Sequence, residues 1–339
     1  MSATLKDVAE KLNISVSTVS RVVNNKSYVN PRTREKVLKA LGELSYSPNQ
    51  VARSLKNKST NTVGIVVPDI SEDFFSHVIK GIDYILSHNG YSIILCDTGE
   101  KTEKEELYLN LLIEKQIDGL ILATVSKKHL LVQNIIDKGL PVIFIDNLPK
   151  LKNSYDSVII DNTKASHMAV EHLIKLGHRC IGIITGKQDE TTGYDRLLGY
   201  KKALQDNNIK IDESLITIGD FKEKSGYDSM KVLLDKNRSI TAVYVASSKM
   251  TYGAIKAITE RGFRIPEDIA LVGFDIHDPS GLITPSITTI IQPEENIGKA
   301  AAELMLKKLN ENGEKFNQKI VLEPNILIRD SCGANKHKR

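Results

Sequence analysis

Arg21 ends the segment VSTVSR, residues 16–21, whose other side chains are slim. A guanidinium can bridge the two acceptors of a guanine edge, and small neighbours let a helix backbone approach bases closely. A second group of reactive side chains lies far along the chain, after strand-like apolar runs. It comprises Phe74 and Phe75 in DISEDFF, Asp146 and Asn147 after VIFI, Thr192 and Arg196, Phe221 after ITIGD, Ser247 and Ser248 after YVA, Asp275 after LVGF, and Gln292 after TTII. Aromatic faces pack on C–H surfaces, while Asp and Arg fork onto neighbouring hydroxyls. That mixture suits a sugar. Taken singly, Phe75 and Phe221 could be core, Asp146 and Asp275 could cap helices, and Arg196 could pair with Asp195 or Glu190 at the surface.

Different elements must position the two sets. Around Arg21 the local signals are helical. Thr4 can cap a first helix, with Asp7 in its first turn, and Val8, Ala9 and Leu12 line one face. Asn13 tolerates the left-handed turn that ends a helix. Ser15 caps a second helix, Val16 to Val23, with Val19, Val22 and Val23 on its apolar side. Asn30 and Pro31 open a third, with a stripe at Val37, Leu38, Leu41 and Leu44. Three short helices with a tight turn between the first two describe a helix-turn-helix. Residues 1–60 carry eleven Lys and Arg against four acids, net +7, whereas the whole chain is +4 and the remainder therefore −3. Excess positive charge at one end is an electrostatic footprint for phosphates. Ser47 and Pro48 start a fourth helix of about two turns, too short to be stable alone.

From residue 62 the pattern alternates. TVGIVV, YSIILC, DGLILAT, PVIFID and SVIIDN interleave with helical stretches near 75–88, 104–115 and 127–138. CIGIITG, LITIGD, AVYVAS and IALVGFD interleave with 192–207, 225–236 and 249–261. Continuous apolar strands alternating with helices mean parallel sheets covered on both faces. In such sheets ligands lie outside the carboxyl ends of the strands, which is where the second set falls. The expected organisation is a helix-turn-helix domain over 1–47, a hinge helix and linker over 48–61, a first lobe of 62–162 plus about 291–324, a second lobe of 163–290 plus about 325–331, and a basic tail, 332–339.

Enzyme readings find little support. No G-x-G-x-x-G follows a strand, TGKQDETTG lacks the spacing of a phosphate loop, and no Ser, His and Asp set fits a hydrolase elbow. No catalytic residue and no cofactor is assigned. Among the eight histidines no pair has a convincing metal-ligand context, with His167 and His172 five apart, so no metal site is read. Cys96, Cys180 and Cys332 are odd in number and widely spaced, as suits a reducing cytoplasm. No run of about 18 apolar residues and no signal-peptide core is present, so the expected location is cytoplasmic, without a membrane partner.

TLKDVAEKLNISVSTVSRVVNN and VNPRTREKVLKALGELSYSPNQVARSLK closely resemble the headpiece of the lactose/galactose repressor family. The resemblance continues more loosely through TVGIVVPDIS, HLIKLGHRCIGIITG, RLLGYKKAL, RIPEDIALVGFD and PSITTIIQP, nearly the whole chain. It implies an all-α helix-turn-helix headpiece joined to an α/β core of two doubly wound parallel-sheet lobes, like periplasmic binding proteins. It implies a transcriptional regulator, a repressor of carbohydrate-utilisation genes, that binds a palindromic double-stranded operator as a homodimer under a small sugar or sugar-phosphate effector. Val16, Ser17 and Arg21 would read the major groove, and Thr18 and Ser20 would contact phosphate. Leu55 would wedge into the minor groove beside Lys56. Thr4, Asn24, Tyr28, Asn49, Ala52 and Arg53 complete the implied DNA contacts.

Phe74, Phe75, Asp146, Asn147, Thr192, Arg196, Phe221, Ser247, Asp275 and Gln292 are the implied effector set, similar to that of ribose-binding relatives. Departures from the family pattern are Asn13 for Gly at the turn, Asn147 for an arginine, and Glu72 and Ser247 for asparagines. Glu190 stands near where purine-binding relatives have an arginine, which disfavours a purine. A catabolite-control regulator with a phosphorylated carrier protein as corepressor is the rival within the family, disfavoured by Glu303 where that branch has a basic residue. A solute-binding module without DNA is the rival outside it. No heptad run follows residue 331, so a C-terminal tetramer coil is not expected.

Overall fold

The computed structural model describes residues 3–23, 29–44, 46, 59–125, 130–152, 154–237, 239–278, 281–310 and 317–334. The chain divides into two compact units, Met1–Thr60 and Asn61–Arg339.

The first unit holds α1 (Leu5–Leu12), α2 (Val16–Val23) and α3 (Pro31–Glu43). Thr4 and Asp7 form a reciprocal capping box: the Asp7 amide donates to Thr4 Oγ1 at 3.3 Å and the Thr4 amide to Asp7 Oδ2 at 2.7 Å. Asn13 takes φ 50°, ψ 48°, the left-handed C-cap expected of it. Ser15 holds the start of α2, accepting from the Thr18 amide at 3.2 Å. Val8, Ala9, Val19, Val22, Val37 and Ala40 form the core. Such burial contributes roughly 1.5–3 kcal/mol for each valine-sized side chain. The third helix departs from the sequence reading. Leu38 is 54% exposed and Ala40 is buried in its place. Each residue advances about 100° around a helix, so Leu38, next to the fully buried Val37, turns away. The expected fourth helix lies outside the described residues.

The second unit carries two six-stranded sheets. The first contains β1 (Thr62–Val67), β2 (Ser92–Asp97), β3 (Gly119–Leu122), β4 (Val142–Ile145), β5 (Asp156–Ile160) and β11 (Lys319–Leu322), in the order β11-β5-β4-β3-β1-β2, all parallel. The second contains β6 (Ile181–Thr185), β7 (Ile216–Ile218), β8 (Ala242–Val245), β9 (Ala270–Phe274), β10 (Thr288–Ile291) and β12 (Asn325–Leu327), in the order β12-β10-β9-β8-β6-β7. Parallel pairing dominates as the sequence reading expects, and the edge strand β12 alone runs antiparallel, to β10. The run IVLEPNILI is split at Glu323–Pro324 between the two sheets, and its second half enters the second sheet from the opposite end.

Helices cover both faces. They are α4 (Asp73–His88), α5 (Thr102–Glu114) and α6 (Leu130–Asp137) in the first lobe, and α7 (Asn162–Lys175), α8 (Thr191–Asp206), α9 (Glu223–Lys236) and α10 (Ser248–Glu260) in the second. Then α11 (Glu294–Asn310) returns to the first lobe and packs on α4. Helix α7 was not among the helical stretches read from the sequence. Asp161 caps it, accepting from the Lys164 amide at 2.8 Å. The α4–α11 contact is backbone against backbone. A Cβ on Gly81 would lie 2.3 Å from the Glu295 carbonyl oxygen, and one on Gly298 would lie 2.0 Å from that of Val78. Only glycine permits this approach. The chain therefore passes between lobes three times, after β5, after β10 and after β11. Among the described residues no helix is long and apolar enough to cross a membrane.

Candidate functional site

A cleft between the lobes brings together all eleven residues of the second set: Phe74, Phe75, Asp146, Asn147, Thr192, Arg196, Phe221, Ser247, Ser248, Asp275 and Gln292. Strand ends and helix starts place them there. Phe74 and Phe75 occupy the first turn of α4, edge to face with centroids 5.0 Å apart. Both are buried, yet both line the cleft. Asp146 follows β4, Asp275 follows β9, and Ser247 caps α10.

Arg196 is neither at the surface nor paired with Asp195 or Glu190. It is 5% exposed, donates from Nε to Asn162 Oδ1 and from Nη1 to the Ala246 carbonyl, each at 2.8 Å, and lies 3.8 Å over the Phe274 ring. Two bonds and a ring fix the guanidinium plane and leave Nη2 for a ligand. Asp275 accepts from the Gln292 amide at 3.0 Å and from its side chain at 2.6 Å. Asp146 has no hydrogen-bond partner among the described residues, so its carboxylate faces the cleft without an acceptor's partner. Neither acid caps a helix. Asn147 spends its amide on the opposite lobe. Its Oδ1 accepts from Thr192 Oγ1 at 3.0 Å and its Nδ2 donates to Glu190 at 3.2 Å. Where an arginine was expected, this chain has a stitch between lobes.

Asp146, Phe221 and Asp275 all have left-handed backbones, with φ of 59°, 68° and 51°. For residues other than glycine this costs of order 1–3 kcal/mol each. Strain gathered at one cleft marks it as a built site. Phe221 gains its position from Gly186, whose missing Cβ would sit 1.9 Å from the ring's Cζ.

Several lining residues were missed in the sequence. Glu100, Lys187, Glu190 and Phe274 also follow or end strands, so the same rule could have found them. Glu72 had been noted only as a departure. Carboxyls dominate: Glu72, Glu100, Asp146, Glu190 and Asp275 face Lys187 and Arg196. Burial pushes Glu72 up to about 7, with Lys249 opposing and nearby acids adding to the rise. Burial likewise raises Asp146 to about 6 against the pull of Arg196, and Asp275 to about 6, helped by Glu294. Ion pairs cross the cleft mouth. Lys249 meets Asp69 at 2.6 Å and Glu72 at 3.9 Å, Lys187 meets Glu100 at 3.3 Å, and Lys222 meets Glu100 at 3.4 Å.

In the first unit, Val16 is 44% exposed, Ser17 and Arg21 are exposed, and Thr18 and Ser20 are half-buried. All lie on α2. Thr4 serves the cap of α1. Asn24, Tyr28, Asn49, Ala52, Arg53, Leu55 and Lys56 lie outside the described residues.

Residues 4–49 match the family described as bacterial regulatory proteins, lacI family, and residues 170–332 match a periplasmic binding protein-like domain. The chain is 39% identical over 335 residues to the HTH-type transcriptional regulator RegA of Clostridium acetobutylicum, covering 98% of this chain and all of that one. Two solved structures are similar over the whole length. The Lac repressor dimer bound to operator and the anti-inducer ONPF superposes with a TM-score of 0.87 at 29% identity, covering 98% of this chain and 99% of that one. The complex of the transcriptional regulator CelR with cellobiose superposes with 0.75 at 32%, covering 97% and 99%.

Proposed function

Because this chain belongs to the LacI family of bacterial regulatory proteins and is a DNA-binding transcriptional repressor of that family, we propose that it binds a palindromic operator as a homodimer and releases it when an unphosphorylated sugar enters the interlobe cleft. Two headpieces would lie one duplex turn apart. Val16, Ser17 and Arg21 would read base edges, with Thr18 and Ser20 on phosphates.

The cleft's charge balance carries the choice of ligand. Five carboxyls and two cations line the cleft, and the lysines around it are already engaged, Lys187 with Glu100 and Glu190, Lys222 with Glu100, and Lys249 with Asp69 and Glu72. Anionic phosphate would meet repulsion there, whereas hydroxyls find acceptors in Asp146 and Asp275, a donor in Arg196, and aromatic faces in Phe74, Phe75 and Phe221. Thr192, Ser247 and Gln292 add neutral polar partners. A pentose such as ribose is the first candidate. The similar CelR structure holds cellobiose, so a disaccharide is the second. Glu303 is exposed on α11 and repels a phosphorylated carrier protein.

A sugar couples to DNA only through unequal affinity for two lobe arrangements, typically 1–3 kcal/mol or about 5–150-fold in affinity. The test is a thermal-shift panel of pentoses, hexoses, disaccharides and their phosphates, followed by operator binding with each hit. A neutral sugar that raises the melting point and weakens operator binding is expected. Stabilisation by phosphosugars alone would refute the ligand class. Operator binding itself, with about six phosphates neutralised, should fall with salt at a log–log slope near −5; a flat response would refute the DNA reading.

A further inference from the structure

Three ionisable side chains from separate elements meet just behind the cleft. His77 Nδ1 lies 2.6 Å from Glu294 Oε2, and His277 Nε2 lies 2.9 Å from Glu294 Oε1. The two imidazole rings lie with centroids 4.9 Å apart and planes tilted by 58°. The three donor atoms all lie within 4.8 Å of one another. His77 is on α4, His277 follows β9, and Glu294 is the first residue of α11. Their separation along the chain hid the cluster from the sequence, where no histidine pair had a ligand's context.

We propose that His77, His277 and Glu294 bind one divalent transition-metal ion of the zinc class. Two imidazole nitrogens and a carboxylate oxygen form a donor set that zinc accepts, at metal–ligand distances of about 2.0–2.2 Å. Donors of a tetrahedral ion then stand about 3.3 Å apart; the carboxylate oxygens already lie 2.6 and 2.9 Å from the imidazole nitrogens, and the two imidazoles would turn inward to share one ion. Glu294 supplies the fixed anion. Its side chain is 5% exposed, and it sits at the positive end of a helix of 17 residues. The histidines are 39% and 26% exposed, which gives an ion an entry path and leaves room for a water as fourth ligand.

Position gives the site its consequence. His77 is one helical turn from Phe74, His277 is two residues from Asp275, and Glu294 is two from Gln292. An ion here would clamp the backbones that carry three cleft residues, and would join the loop after β9 in the second lobe to α4 and α11 in the first. Without an ion the same atoms form a carboxylate shared by two imidazoles, so the competing account is a hydrogen-bonded bridge.

The experiment is zinc titration of the full, tag-free chain, previously stripped with chelator, by calorimetry against a competing chelator. One ion per chain is expected. H77N and H277N should each weaken binding by about tenfold or more, since even outer-shell changes cost roughly 10–100-fold. Both substitutions are at partly exposed side chains, so melting curves should confirm a retained fold. The triple variant C96S/C180S/C332S should bind as the parent does. Absence of saturable uptake, unchanged affinity in both histidine variants, or binding lost only with the cysteines would overturn the proposal.

Discussion

Replacing Glu72 by Gln should stabilise the unliganded protein at alkaline pH and have little effect in acid. Burial holds this carboxyl at about 7 rather than its ordinary 4.5. The folded chain thus binds the proton more tightly than the unfolded chain, and ionising Glu72 costs stability. That cost is complete above about pH 7 and vanishes as pH falls below about 4.5. At about 1.36 kcal/mol for each pH unit of displacement, the ceiling at pH 8 is about 3 kcal/mol. The side chain keeps 22% of its exposure, and Lys249 Nζ stands 3.9 Å away. The value of about 7 already contains the pull of Lys249; access to water offsets a further part of the cost, leaving about 1–2 kcal/mol for Glu72→Gln to recover. Lys249 retains its 2.6 Å bond to Asp69, so the substitution leaves no unpaired cation. Thermal melts of parent and variant at pH 5 and pH 8 measure the effect, with about 2–5 °C of added stability expected at pH 8 and about a quarter of that at pH 5. A variant less stable than the parent at pH 8, or shifted equally at both values, would refute the reasoning.

Three further outcomes follow from particular contacts. Thr4→Ala removes both halves of the capping box and should cost the headpiece about 1 kcal/mol, read from denaturant unfolding of the full chain. Gly186→Ala places a methyl within 2.4 Å of three Phe221 ring atoms; the ring must swing away, weakening sugar binding by about tenfold, the worth of one aromatic contact, as measured by titration of a sugar that stabilises the parent. Arg196→Met strands the Asn162 and Ala246 oxygens and should destabilise the core by about 2–4 kcal/mol, as expected for two charged hydrogen bonds partly relaxed, read from chemical denaturation midpoints.

Much of the fold was legible because its causes are local. Caps at Thr4, Ser15 and Asn30 and left-handed Asn13 define the first unit within a few residues of each boundary. Buried strands announce themselves as apolar runs, and the strand-end rule then collected the cleft side chains without knowledge of their partners. What failed to show depends on distant chain. Helix α7 buries mainly small residues, Ala165, Ser166 and Ala169, beside a few large ones, so its pattern is faint. Leu38 shows that an apolar residue next to a core residue need not share its face. Left-handed backbones at Asp146, Phe221 and Asp275 carry no mark in the sequence, since glycine is absent there. Asn147 lines the cleft, but its bonds to Glu190 and Thr192 on the opposite lobe carry no mark in the sequence. The joining of His77 with His277 likewise needs both lobes in place.

The repeated passage of the chain between the two sheets also has a meaning for biosynthesis. Ser157 pairs with Lys319, and Asp156 accepts from the Gln318 amide 162 residues later. At about 5–20 residues per second, a ribosome needs roughly ten to thirty seconds to deliver that edge strand after its neighbour has emerged. Throughout that interval the nascent first lobe lacks both its outer strand and helix α11, and the face of α4 that carries Gly81 is bare. Its completion must await nearly the entire polypeptide, whereas the three-helix unit at the front can fold as soon as it clears the exit tunnel.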